Sequence, residues 1–223
     1  MTDLHTHILP GMDDGAKNVE QSLQMLRAEQ EQGVNTVLLT PHFYRISEDV
    51  GSFLERRQQS WQVLQSALPE EHPQLLLGAE VAWYQTILRE KRLHELCLEG
   101  TNCILLELPY APWPSMVIDH LYEFSAVTGL TPILAHIDRY LPLQKKAVIE
   151  QLLSIGLPMQ MNAQALLHPL RRGRASRMLK HGKWYLGSDC HDMDGRKPCL
   201  GAAADYLKKR LPDDQLQMML SWP

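Results

Sequence analysis

Short apolar runs alternate with stretches of helical periodicity along most of the chain. Val19, Leu23, Leu26 and Ala28 keep helical spacing after Asn18, which with Gln21 resembles a capping box, and Gly33 supplies a stop. "NTVLLT" then reads as a buried strand. The theme repeats in "QLLLGAE", "NCILLEL", "TPILAHI", "LPMQMN" and "WYLGSD". A helix is predicted from Leu143 to Ile155, with Val148, Ile149, Leu152 and Leu153 on one side, Gly156 beyond its end and Pro158 after that. "LPEEHPQ" and "LPYAPWP" read as loops. This alternation predicts a mostly parallel sheet of about six or seven strands covered by helices.

A length of 223 residues fits one α/β barrel-like domain spanning 1–223, with a sizeable core. The opening lacks the basic stretch and apolar core of a signal peptide, and no apolar run is long enough to span a bilayer. A cytoplasmic location without membrane insertion is therefore expected. Cys97, Cys103, Cys190 and Cys199 have no framework spacing, which predicts reduced thiols. A net charge of -4 gives no overall basic signature of a nucleic-acid binder.

The ten histidines change the picture, because several stand where strands should end. In parallel sheets and barrels, functional groups collect at the carboxyl ends of the strands. Here "LLTPH" ends in His42, "LLLGAE" in Glu80, "ILLELP" holds Glu107, "ILAH" reaches His136, and "LGSDCHD" carries Asp189 and His191. "DLHTH" makes a sixth contributor: in an extended strand, Asp3, His5 and His7 share one face while Leu4 and Thr6 look away. The same parity pairs Asp189 with His191 and turns Cys190 the other way. Asp14, Glu80, Glu107 and Asp189 cannot all stay ionised and desolvated at one mouth without compensation, and cations resolve this. Imidazole mixed with carboxylate suits manganese, iron or zinc. A lone His-X-His or strand-end glutamate means little, but six strand ends each delivering a ligand type predict a polynuclear metal site.

"DLHTHILPGMDDGAKN", supported by "TPHF", "GAE", "LELP", "HIDRY" and "SDCH" with Arg196 beyond, resembles the PHP (polymerase and histidinol phosphatase) phosphoesterases. Within that family the chain most resembles the CpsB/CapC-type bacterial tyrosine-protein phosphatases of capsule and exopolysaccharide operons. The resemblance spans residues 3 to 196. It implies an α/β fold, a distorted seven-stranded (βα) barrel of PHP type, with three divalent metal ions, often manganese, at the C-terminal ends of the strands. By motif, His5, His7, Glu107 and Asp189 would hold one ion, Asp14, His42 and His191 a second, and Glu80, Glu107 and His136 the third, with Glu107 bridging. Asp14 follows from alignment to the family's "DDG", with Asp13 as the fallback. Arg139 and Arg196 would grip phosphate, and His136 is a candidate to assist the leaving group. The implied activity is hydrolysis of phosphotyrosine on the tail of a bacterial tyrosine autokinase that controls polysaccharide export. A histidinol-phosphate phosphatase, or another small-molecule phosphomonoesterase, would share the constellation, and a non-catalytic metal-binding barrel is a reading of a different class.

Smaller signals remain. Cys190 and Arg196 satisfy the C-x5-R spacing of thiolate phosphatases, but Asp192 and Asp194 inside that loop would repel phosphate. Tyr110 or Trp113 could stack on an aromatic substrate, against the alternative that a Pro-rich loop packs its own aromatics. Arg171, Arg172, Arg174, Arg177 and Lys180 could dock an acidic tail, although a solvated helix start is the favoured reading. His72, His94, His120, His168 and His181 read as surface or packing residues, Trp61, Trp83 and Trp184 as core or interface, and Asn162 as a candidate lining residue of the mouth.

Overall fold

The computed structural model describes residues 1–222. In chain order the elements are β1 (Thr2–Thr6), α1 (Val19–Glu31), β2 (Thr36–Leu39), β3 (His42–Phe43), α2 (Val50–Gln65), β4 (Gln74–Leu77) and β5 (Glu80–Ala82). Two short 3-10 turns lead to β6 (Cys103–Glu107), α3 (Ser115–Thr128), β7 (Thr131–Leu134), α4 (Ile137–Tyr140), α5 (Lys146–Ile155) and β8 (Met159–Asn162). The chain continues through α6 (Ala163–Leu167), α7 (Arg172–Met178), β9 (Trp184–Gly187), α8 (Leu200–Lys208) and α9 (Asp213–Met219). Every strand pairing is parallel, as the alternation predicts, in the orders β1-β2-β4 and β3-β5-β6-β7-β8-β9.

Each predicted run forms a strand, but two of them break. Thr40 and Pro41 separate β2 from β3, and Gly78 and Ala79 separate β4 from β5. Pro41 has no N–H to give the ladder. At Gly78 a Cβ would stand 2.6 Å from the end of the Leu98 side chain, which would have to move to admit any other residue. Hydrogen bonds carry the ladder across the gap, Gly78 N–H donating to Leu39 O at 2.9 Å and Glu80 N–H to Pro41 O at 3.0 Å. Beyond β9 the chain lies along β1: Asp189 N–H donates to His5 O at 2.8 Å and His7 N–H to Cys190 O at 2.9 Å.

The main core lies between helices and strands, and a second apolar cluster gathers Leu4, Leu38, Leu105, Ile133 and Tyr185 from β1, β2, β6, β7 and β9. Glu107 continues the parity of Leu105 on β6, and Gln160 and Asn162 alternate with Met159 and Met161, which join the main core. In β1 the alternation fails. A register shift between Asp3 and Thr6, of the kind a β-bulge makes, sends Leu4 into the second cluster and Asp3 toward Ser188 and Glu29 of α1. The expected shared face of Asp3, His5 and His7 is thus reduced to the two histidines.

Asn18 Oδ1 caps α1 by accepting from Gln21 N–H at 2.9 Å, while Gln21 Oε1 accepts from Lys17 N–H at 3.0 Å rather than from the cap residue itself. The buried side of α1 is Ser22, Met25, Leu26 and Glu29, which places a carboxyl in the interior that the apolar spacing did not foretell. Helix α5 begins at Lys146, not Leu143, buries Ile149 and Leu152, and ends as predicted on Gly156, whose φ of 78° is left-handed.

Candidate metal centre

The carboxyl ends of β1, β6 and β7, the starts of β3 and β5, and the segment after β9 meet in one cluster. His5, His7, Glu80, His136, Asp189 and His191 are buried there. The side chain standing in the middle is Glu80. Its Oε2 is 3.1 Å from His5 Nε2, 3.3 Å from His7 Nε2 and 2.9 Å from His42 Nδ1, and its Oε1 is 2.7 Å from His136 Nε2. Glu107 stands at the edge, 3.6 Å from His136 Nε2 and 4.0 Å from His42 Nδ1. Asp189 Oδ1 faces His5 and His7 at 3.7 and 3.5 Å. Asp14 Oδ1 faces His42 Nε2 at 3.4 Å and His191 Nε2 at 3.3 Å.

Asp13 and Asp14 divide their work. Asp13 Oδ2 contacts His7 Nδ1 at 2.7 Å and accepts the backbone N–H of His42 at 2.9 Å, so it orients the His7 imidazole from behind and ties down the main chain at His42. Asp14 is 66% exposed and turned to the mouth, where it meets the imidazoles on their open side. Both His136 (φ 32°) and Asp189 (φ 55°) hold left-handed backbone, which non-glycine residues adopt at a cost and which is concentrated at functional sites.

The donor set is short of partners within the protein. His42 Nδ1 and Glu80 Oε2, although 2.9 Å apart, are out of hydrogen-bonding alignment, and His136 Nδ1 and His191 Nε2 are buried with no hydrogen-bond partner among the described residues. His5 and His7 turn their Nε2 atoms toward each other at 3.1 Å. Three groups of side chains bring ligand atoms within 4.8 Å of one another: His7, Asp14, His42 and His191; His5, His7 and Glu80; and His42, Glu80 and Glu107. Unpartnered imidazole and carboxylate atoms at this spacing fit divalent cations.

Electrostatics within the cluster are strong. For His7, burial opposes the charged form, but the Asp13 and Glu80 carboxylates outweigh it and push the imidazole up to about 10. His136 behaves alike beside Glu80 and rises to about 9. His191 goes the other way, to about 4, because burial and the neighbouring His7 charge both disfavour its protonation. Burial resists the ionised form of Glu80, yet the surrounding histidines hold its carboxyl well below the usual range.

Sequence reasoning missed Gln160. Its Oε1 accepts the His136 N–H at 2.5 Å and lies 3.2 Å from His5 Nδ1, while its Nε2 donates to Asn162 Oδ1 at 2.9 Å. Asn162 Nδ2 then donates to Asp189 Oδ2 at 2.8 Å. Two polar residues at alternate positions of an otherwise apolar strand, "MQMN", were the available signal. Tyr44, stacked on His42 at 5.1 Å, was missed as well.

Arg196 Nη2 is 2.6 Å from Asp189 Oδ1, and Arg139 Nη1 is 3.7 Å from Asp189 Oδ2. Both line a cavity of about 370 Å3 beside the cluster, with Asp138, Asn162, His168 and Arg171 among its other walls. His168 and Arg171 therefore stand at the site rather than on indifferent surface. Tyr110 is exposed beside Arg139, whereas Trp113 packs inward, edge-on to Tyr140, with its Nε1 donating to Pro109 O. A larger cavity of about 730 Å3, at the other end of β9, is lined by Trp184, Tyr185, Met218 and Trp222 and is remote from the cluster. Cys190 is fully buried and faces Glu29, away from the cluster, and burial among carboxyls pushes its thiol far up. That is the reverse of what a thiolate nucleophile needs.

A family model described as capsular polysaccharide synthesis, CpsB/CapC, matches residues 1–222. The tyrosine-protein phosphatase CpsB of Streptococcus agalactiae is 27% identical over 215 residues, covering 91% of this chain and 88% of that protein. A crystal structure from work on YwqE of Bacillus subtilis and CpsB of Streptococcus pneumoniae, described as unique metal-dependent tyrosine phosphatases, has a TM-score of 0.80 at 24% identity. It covers 98% of this chain and 91% of the other. The organophosphorus hydrolase of Deinococcus radiodurans is similar in fold at a TM-score of 0.50 and 13% identity, over 98% of this chain and 89% of its own.

Proposed function

The chain belongs to the CpsB/CapC capsular polysaccharide synthesis family, and from that premise and the cluster around Glu80 we propose that it is a metal-dependent protein-tyrosine phosphatase. Its substrate is phosphotyrosine on the tail of a bacterial tyrosine autokinase, its setting the cytoplasm, and its role the control of capsule or exopolysaccharide synthesis. The observation that carries the reading is convergence: five histidines and four carboxylates meet beside two arginines that border a cavity. No helix among the described residues is long and apolar enough to cross a membrane.

The nine strand segments read as seven staves of a distorted PHP-type barrel in one domain, with β2 and β3 as one broken stave, β4 and β5 as another, and the contact of Asp189 with His5 closing the ring. In this reading Asp14, His42 and His191 hold one divalent ion, His5, His7 and Asp189 a second, and Glu107 and His136 a third. Glu80, which faces four imidazoles, would be available to more than one of these ions. Manganese is the expected metal, with iron or zinc as substitutes. When bound, such ions supply Lewis acidity toward phosphoryl oxygens and make a water deprotonable near neutral pH. The chain's own contribution is binding and orientation. Arg139 and Arg196 offer planar donor forks to the phosphoryl oxygens, and Asn162 and Gln160 hold Asp189 and His136 in place. Tyr44 and Tyr110 present aromatic surface at the mouth to a phenolic ester.

The test is turnover of a phosphotyrosyl peptide and of histidinol phosphate by purified protein with manganese, with and without EDTA, alongside elemental analysis. Preferential, EDTA-sensitive cleavage of the peptide is expected. Protein that contains no transition metal and gains no esterase activity from added ions would overturn the proposal.

A further inference from the structure

The cavity beside the cluster carries arginines on two walls. The inner wall is Arg139 and Arg196, both already engaged with Asp189. The outer wall is His168 and Arg171, which the metal centre does not use. Among the lining residues three arginines face two carboxylates, Asp138 and Asp189, and Asp138 Oδ1 already accepts the Asn162 N–H at 2.9 Å. The surplus positive charge therefore sits on the outer wall, where Arg171 has no ion-pair partner among the described residues.

This wall is built rather than loose. His168 N–H donates to Gln164 O at 3.0 Å, and Arg171 and Arg172 N–H both return to His168 O, at 3.0 and 2.9 Å, fixing the turn between α6 and α7. Leu170 N–H donates to His168 Nδ1 at 3.2 Å, so the neutral imidazole carries its proton on Nε2 and offers a donor. Leu170 itself is 90% exposed beside these donors, an apolar contact suited to a polypeptide.

With the phosphoryl group held by the inner wall, the outer wall is free for a second anion on the same substrate. We propose that His168 and Arg171 form a second anion subsite that binds an acidic side chain flanking the phosphotyrosine of the substrate polypeptide. This rests on the phosphotyrosine reading above and narrows its substrate class to acidic sequence contexts.

The experiment compares kcat/KM for two phosphotyrosyl peptides, one with glutamates on both sides of the phosphotyrosine and one with glutamines, using manganese-loaded full-length protein. The parent should prefer the glutamate peptide about fivefold, the scale of one good exposed ion pair. Arg171→Ala should bring the ratio near one, Arg171→Glu should invert it, and Arg171→Lys should keep most of it. A ratio of one in the parent with both peptides cleaved, or a ratio unchanged in Arg171→Ala, overturns the subsite and leaves the phosphatase reading standing. Cleavage of neither peptide defeats the phosphatase reading and the subsite with it.

Discussion

Asp13 Oδ2 lies 2.7 Å from His7 Nδ1, which leaves His7 Nε2 as the ring atom directed into the cluster. A carboxylate behind a ligating imidazole fixes its tautomer and raises its basicity, and losing such a partner typically costs about 10- to 100-fold in metal affinity or activity. Asp13→Asn should therefore weaken manganese binding by that order, read by calorimetric titration of chelator-stripped protein. Affinity equal to the parent's would remove Asp13 from any orienting role.

The strand ends were legible because their chemistry is costly to bury. His42, Glu80, Glu107, His136 and Asp189 follow apolar runs that fix where each strand stops, so their convergence could be read without knowing how the strands pair. What escaped depends on tertiary contact. The register shift in β1 separates Asp3 from His5, and nothing in "DLHTH" marks it, because a bulge is set by the partner strand. The central position of Glu80 over Glu107 depends on side-chain reach across the ring of strands. Glu29 fell outside the reading because a charged residue on an apparently solvated helix face is ordinarily just that.

The thiol beside the ligands gives a clean discrimination. Cys190 is buried against Glu29, so Cys190→Ser should keep manganese-dependent turnover, still abolished by EDTA, and cost about 1 kcal/mol of stability, the usual scale of a single core change. Turnover lost in this variant while its thermal transition is preserved would restore the thiolate mechanism.

The raised histidines predict a pH dependence for chelator-treated protein. His7 is pushed up from 6.5 to about 10, chiefly by Asp13 working against burial, so its contribution to stability is fully present below pH 6.5 and is lost as pH rises through about 10. Cation binding needs neutral imidazole and must displace these protons. Manganese uptake at pH 7 should therefore release protons, measured as a dependence of binding enthalpy on the buffer's ionisation enthalpy, and apparent affinity should rise toward alkaline pH. Binding without proton release would contradict the arrangement of His7, Asp13 and Glu80.

Beneath the cluster, Glu29 reaches in from α1 to Asp3, Ser188 and Cys190. Burial pushes both the Glu29 and Asp3 carboxyls up, and the charge of Asp3 raises Glu29 further. A raised carboxyl keeps its proton in the folded protein where the unfolded chain has released it. Its stabilisation is thus complete below the ordinary glutamate value of 4.5 and is lost as pH climbs toward the elevated folded value. Glu29→Gln fixes the neutral form at every pH and preserves the shape. The thermal midpoint of this variant should pull ahead of the parent's as pH rises above the ordinary glutamate value, by roughly 3 °C per pH unit for a chain of this size until the raised folded value is passed. Melts run with chelator present keep the metal ligands out of the comparison. Because Asp3 also accepts the backbone N–H groups of His5 and Ser188, the same substitution should leave the placement of His5 and Asp189 intact, which manganese affinity equal to the parent's would register. A midpoint difference that does not change with pH would mean that Glu29 holds no proton in the folded protein.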